Sequence, residues 1–183
     1  MAVGFLKAGL SILFANALRF LRIIPNNDPI MGIMLPFAKQ ESVWIAILFP
    51  IITMVSFDFI TFAVGPWTVV TSLTYGALGL FFYFFYKKIR KGKVGMKTYL
   101  GSGVFGVLVF DFVTGVLATP FMFHMSFEQA FLGQIPFTLM HLATATGYIL
   151  IVTPLLDKHI LGNPVLDDKK FISYISRLFP KIL

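Results

Sequence analysis

Uncharged stretches dominate this chain: Phe59–Tyr86 and Gln129–Leu156 hold no Asp, Glu, Lys or Arg, and neither do the shorter Ser42–Phe57 and Phe112–Phe127. A bilayer crossing takes ~20 mostly apolar residues, so these stretches limit the chain to one kind of fold. With 57% hydrophobic and 13% charged residues among 183, and a mean hydropathy of +0.85, the apolar side chains exceed what one soluble core could hide. A soluble enzyme is excluded, and an all-α integral membrane protein is expected. Cysteine is absent, which removes disulfides, thiolate chemistry and Cys-based metal sites.

Turn signals at Gly65-Pro66, Lys91-Gly92, Pro120 and Gly162-Asn163-Pro164 divide the stretches into helices near 2–24, 42–64, 67–87, 97–119 and 128–157. The apolar piece Pro29–Ala38, about half the usual span and carrying Pro36, is a short or broken crossing or a re-entrant segment. If it crosses, the chain is a six-transmembrane-helix bundle with both termini cytoplasmic. Lys7, Lys39, the Lys87–Lys97 loop and the tail then share the cytoplasmic side, as the bias of short basic loops requires. Only Arg19 and Arg22, of fifteen Lys and Arg, fall elsewhere. The net charge of +7 is therefore a topology signal, and no nucleic-acid partner is expected. Residues 1–160 form the membrane domain. In 161–183, Phe171, Ile172, Ile175, Leu178, Phe179 and Ile182 recur at helical spacing opposite Lys169, Lys170, Arg177 and Lys181, which predicts an amphipathic tail helix on the inner leaflet.

The six-helix arrangement gathers the remaining polar residues at the outer end. Helix 1 closes with Arg19 and Arg22 and the loop Pro25-Asn26-Asn27-Asp28-Pro29. A short internal repeat, FDFIT at 57–61 and FDFVT at 110–114, puts Asp58 and Asp111 at equal depth, with Thr61 and Thr114 beside them. Trp67, Thr71 and Tyr75 make a polar stripe at the start of the next helix, and Gln134, Thr138 and His141 lie along one face of the last. Charged groups in hydrocarbon cost at least ~2.5–3.5 kcal/mol and so face the bundle interior, a partner or a wet cavity. Either Arg19 or Arg22 pairs with Asp58 and Asp111 to lock the helices, or these residues line an outward-facing pocket with aromatic walls and convergent polar groups. Thr, Gln and His serve interhelical hydrogen bonding equally well.

Several apparent motifs carry no chemistry. Gly101-Ser102-Gly103-Val104-Phe105-Gly106 spells G-x-G-x-x-G, but inside a membrane helix it signals close packing rather than a dinucleotide site. His124, His141 and His159 lack metal-ligand spacing, so neither metal nor cofactor is expected. Without a Walker A sequence or a nucleophile elbow the chain does not hydrolyse ATP itself, and uphill transport needs a partner or an ion gradient. A membrane-embedded enzyme would have Asp58 with Asp111 as its one acid–base pair.

Five segments together resemble the substrate-binding S components of energy-coupling factor transporters, the vitamin-uptake systems of bacteria and archaea. They are R-x-x-P-N-x-x-P-I-x-x-x-x-x-P-F-A from Arg22 to Ala38, F-D-F-x-T-x-x-x-G-P-W (57–67), T-S-L-T-Y-G-A-L-G (71–79), G-x-L-x-F-D-F-x-T-G (106–115) and Q-I-P-F-T-L-M-H-L (134–142). The resemblance implies a cell-membrane protein of six helices that captures a small nutrient from outside without altering it. It also implies docking onto a transmembrane coupling protein with two ATPase subunits, through small residues on helix 1. Ala8, Ser11 and Ala15 fit that role by spacing, and internal packing would use them equally well. Arg19, Arg22, Asn26 and Asn27 would meet anionic or carbonyl groups of the nutrient, Trp67 and Tyr75 a ring, and Asp111, Gln134 and His141 its hydrogen-bonding groups. A cell-shape scaffold of the same fold, with no substrate, is the competing class.

Overall fold

The computed structural model describes residues 4–21, 27–89 and 94–162, which are helical with no strand among them. The helices are α1 (Phe5–Leu21), α2 (Ile30–Gln40), α3 (Val43–Ile60), α4 (Pro66–Lys88), α5 (Met96–Phe123) and α6 (Phe127–Leu161). Helices α3 to α6 are long and apolar enough to cross a membrane; α1 has 17 residues and α2 only 11. The amphipathic tail expected over 161–183 lies, from residue 163 on, outside the described residues.

Helix α2 is the core of the bundle. Ile30–Ala38 are all buried, enclosed by α3, α4, α5 and α6. Its 11 residues rise about 16 Å, about half the hydrocarbon thickness. The helix is nevertheless unbroken at Pro36. A proline removes the bond to the carbonyl four residues earlier, here that of Gly32, and Thr153 Oγ1 of α6 donates to that oxygen at 2.6 Å. Gly32 is needed for this approach, because a Cβ there would stand 2.8 Å from Tyr148 Cβ. Pro50 frees the Ala46 carbonyl of α3 in the same way, and Gly79 of α4 packs against that oxygen so closely that a Cβ would collide with it. Of the G-x-G-x-x-G glycines, Gly103 packs on Ile149 and Gly106 on Met31, the close packing expected of them.

One helix boundary differs from the sequence expectation in kind. Pro120 was the expected end of a helix, but α5 continues through it to Phe123. The chain widens into a π-helix over Phe112–Ala118 just before the proline, and Thr119 Oγ1 donates to the Thr114 carbonyl at 3.0 Å. The wider turn takes up the ring without ending the rod. α3 stops at Ile60, four residues before its expected end, and α6 runs on to Leu161 through a second π stretch, Leu156–Leu161.

The helices alternate in direction. At one end Lys39 Nζ of α2 pairs with Asp157 Oδ2 of α6 at 2.7 Å, and Gln40 Nε2 donates to the Asp157 carbonyl at 2.7 Å. There too Lys7 Nζ, near the start of α1, donates at 2.8 Å to the Leu161 carbonyl, where the helix dipole favours a cation. The other end collects the last turns of α1, α3 and α5 and the first turns of α2, α4 and α6. Every described lysine lies toward the first end, and Arg19 is the described basic side chain of the second.

Ala8, Ser11 and Ala15 are buried within the bundle at 7%, 4% and 0% exposure. This face of α1 serves internal packing and is not open to a partner. The outward face of α1 carries Phe5, Leu10, Leu13, Phe14 and Phe20 instead.

Candidate functional site

A cavity of about 610 Å³ opens among the helices at the end that carries Arg19. Five helices and the lead into α2 contribute: Arg19 from α1, Asn27 and Asp28 from that lead, Met54 and Phe57 from α3, Trp67 and Thr71 from α4, Phe110, Thr114, Gly115 and Thr119 from α5, and Gln134 and Phe137 from α6. Its volume and its mixture of aromatic walls with a few polar groups are those of a small-molecule site.

The π stretch of α5 shapes one wall. Gly115 sits within it, and a Cβ there would overlap the Gln134 carboxamide, so the missing side chain lets Gln134 lie against α5. Gln134 Nε2 donates to Thr138 Oγ1 at 3.2 Å, one turn along. On the opposite wall the Arg19 guanidinium lies 4.0 Å over the Phe57 ring, with Nη1 3.1 Å from Met54 Sδ.

Beneath the cavity is a closed polar layer. His141, 1% exposed, places Nδ1 2.8 Å from Asp111 Oδ1 and Nε2 3.5 Å from Asp28 Oδ2. Tyr75, fully buried, donates its hydroxyl to Asp28 Oδ2 and packs on Phe110 with ring centroids 4.1 Å apart and the rings tilted by 30°. Asp28 Oδ1 accepts the Ile30 N–H at 2.8 Å, which caps α2. One imidazole between two carboxylates thus joins α2, α4, α5 and α6. Groups this deep persist only when paired and hydrogen-bonded. Asn27 extends the bracing: its Nδ2 donates to the Leu18 carbonyl at 2.6 Å and its Oδ1 accepts from Tyr148.

The residues expected at the pocket therefore divide. Arg19, Asn27, Trp67, Thr71, Thr114 and Gln134 line it. Tyr75, Asp111 and His141 do not reach it: they form the layer below, and Tyr75 as a ring-stacking residue is corrected to a support for Asp28. Thr138 faces a separate cleft between α5 and α6, which Asp111 and Gln134 also border. Asp58 does not line the cavity; its Oδ2 accepts from Thr68 Oγ1 at 2.6 Å, and Thr68 Oγ1 in turn accepts the Gly65 N–H at 3.1 Å. Asp58 thus braces the turn between α3 and α4. Arg22 and Asn26 lie outside the described residues.

Among the described residues, Arg19 pairs with neither Asp58 nor Asp111, and Arg22 lies outside them. Asp111 pairs with His141, Asp58 bonds Thr68, and Arg19 has no ion pair among the described residues. Asp28 is the main residue that sequence reasoning passed over. Its signal was local: Asp-Pro before an apolar run is the start of a helix with an acidic cap. Met54, Phe57, Phe110 and Phe137 carried no such signal among the chain's twenty-two phenylalanines and eight methionines. No family model matches the chain, and no curated protein or solved structure is similar to it, so the site stands on its own geometry.

Proposed function

We propose that this chain is the solute-binding subunit of an ATP-driven uptake system, similar to the S components of energy-coupling factor transporters. The observation that carries the reading is the cavity of about 610 Å³ lodged among apolar helices, with Trp67, Phe57, Phe110 and Phe137 as walls and Arg19, Thr71 and Gln134 as polar contacts. A rigid polar layer under such a cavity keeps its floor in one geometry, as tight capture of a scarce solute requires. The lysines toward the far end favour the cytoplasm for that end, which turns the cavity outward. The membrane is then a prokaryotic cell membrane, with six crossings and α2 as the short one.

No bond of the solute changes, and the energy for its release inward comes from a coupling protein with two ATPases. Because Ala8, Ser11 and Ala15 are covered, that partner meets another face of the bundle. The test is mass spectrometry of small molecules released from the purified protein. The wild type retains one compound without ATP, and Trp67→Ala lowers its amount at least tenfold. Equal retention by Trp67→Ala removes the cavity from the account, and copurification with cell-wall synthesis proteins in place of ATPases favours the scaffold.

A further inference from the structure

The charged groups around the cavity are unequally satisfied. A carboxylate accepts about four hydrogen bonds; Asp28 has the Ile30 N–H on Oδ1 and the Tyr75 hydroxyl on Oδ2, with His141 Nε2 3.5 Å from Oδ2. Asp111 is 1% exposed, engaged with His141, and does not line the cavity. Both carboxylates are therefore occupied by the protein's own donors or withdrawn from the space.

Arg19 is the reverse. Its guanidinium carries five N–H donors in a planar fork. Among the described residues its polar contact is Met54 Sδ at 3.1 Å, a weak acceptor. The Phe57 face, 4.0 Å from Cζ, attracts the cation but takes no in-plane hydrogen bond. No carboxylate of the described residues pairs with Arg19. With Cζ over the Phe57 ring and Nη1 on Met54 Sδ, the other N–H donors of the fork have no acceptor among the described residues, and such a fork suits a carboxylate or phosphate in a two-pronged pair.

We infer that the solute is a small organic acid whose carboxylate or phosphate pairs with Arg19, while its uncharged remainder lies against Trp67 and Gln134. This rests on the solute-binding reading above and adds the charge of the solute to it. Asp28, the one acidic residue on the cavity wall, already faces the Ile30 N–H, the Tyr75 hydroxyl and the His141 ring, so it offers a basic group on the solute less than Arg19 offers an acid. The acid supplies a counter-charge for a guanidinium among membrane helices.

The same acid chemistry exists in lipid headgroups, so the experiment separates the two sources. Wild-type protein, Arg19→Gln, Arg19→Lys and Trp67→Ala are purified in one detergent. Released compounds are analysed in negative-ion mode before and after methyl esterification, which counts acid groups. The expected result is a water-soluble acid that falls at least tenfold in Arg19→Gln and is partly kept in Arg19→Lys. A neutral or cationic compound retained equally by wild type and Arg19→Gln but lost from Trp67→Ala overturns the acid and leaves the cavity reading intact. An acid found only as phospholipid assigns Arg19 to the bilayer surface and overturns the proposal. A wild type that retains nothing counts against solute binding itself. If Arg19→Gln does not fold, the acid count of the wild-type compound and its level in Arg19→Lys decide.

Discussion

The two FDF-x-T segments start alike and end in different structures. Phe57 and Phe110 both line the cavity, whereas Phe59 and Phe112 both point outward at 73% and 50% exposure. Thr61 Oγ1 donates to the Phe57 carbonyl at 2.9 Å, and Thr114 Oγ1 to the Phe110 carbonyl at 2.8 Å. The aspartates part company: Asp58 caps a turn, and Asp111 is buried against His141. The backbones already differ inside the motif, since the second copy widens into a π-helix from Phe112 while the first stays α-helical to Ile60. In the first copy Phe62 turns out of the helix with φ 56° and 97% exposure. In the second Gly115 continues as a π-helix that holds Gln134. Equal motifs thus give a bracing residue or a site residue according to whether the rod stops or goes on.

The sharpest way to break this comparison is to remove each carboxylate. Asp111→Ala strands a buried imidazole, so unfolding in detergent shifts by about 3 kcal/mol, between the cost of an unmet buried donor and that of an unpaired buried charge. Retention of the solute falls as well, through loss of the His141 and Asp28 geometry. A stability equal to wild type would show that the Asp111–His141 contact is idle. Asp58→Ala removes a half-buried hydrogen bond to Thr68 and costs about 1 kcal/mol, with retention unchanged.

The next contrast lies in the residues that follow the threonines. Gly115→Ala drives a methyl into the Gln134 carboxamide; overpacking of this kind costs about 1–3 kcal/mol, and solute retention drops with it. Phe62→Gly relieves a left-handed backbone and adds about 1 kcal/mol of stability. Differential scanning fluorimetry of the two variants reads both signs, and a loss of stability in Phe62→Gly would show that the exposed ring has a structural task.

The threonines give the smallest effect. Thr61→Val and Thr114→Val each lose a bond to their own helix, worth about 0.5 kcal/mol. Thr114 lines the cavity and Thr61 does not, so a binding assay separates two variants that melt together.

Much of this was legible in the sequence, for reasons that can be named. The uncharged runs set the helices, because hydrocarbon admits little else. The repeat and the polar stripes pointed to one end, because charged groups have to converge somewhere. Depth around the helix axis was not legible. Trp67, Thr71 and Tyr75 share a stripe, yet Trp67 meets the cavity while Tyr75 lies beneath Asp28, a difference set by the position of α2. Nor was the passage of α5 through Pro120, since a proline reads as a stop unless a π turn precedes it. The Ala8, Ser11 and Ala15 spacing described a packing face correctly but could not say whose helices cover it.

The central claim is that the Arg19 end holds a water-filled, solute-accepting cavity. The absence of cysteine makes single-cysteine labelling clean. Thr119→Cys, half-buried on the cavity wall, is compared with Thr153→Cys, buried in the other half of the bundle, in intact cells treated with a small charged, membrane-impermeant thiol reagent. The account predicts that the cysteine at 119 reacts from outside and that at 153 does not. Equal inertness of the two would contradict it.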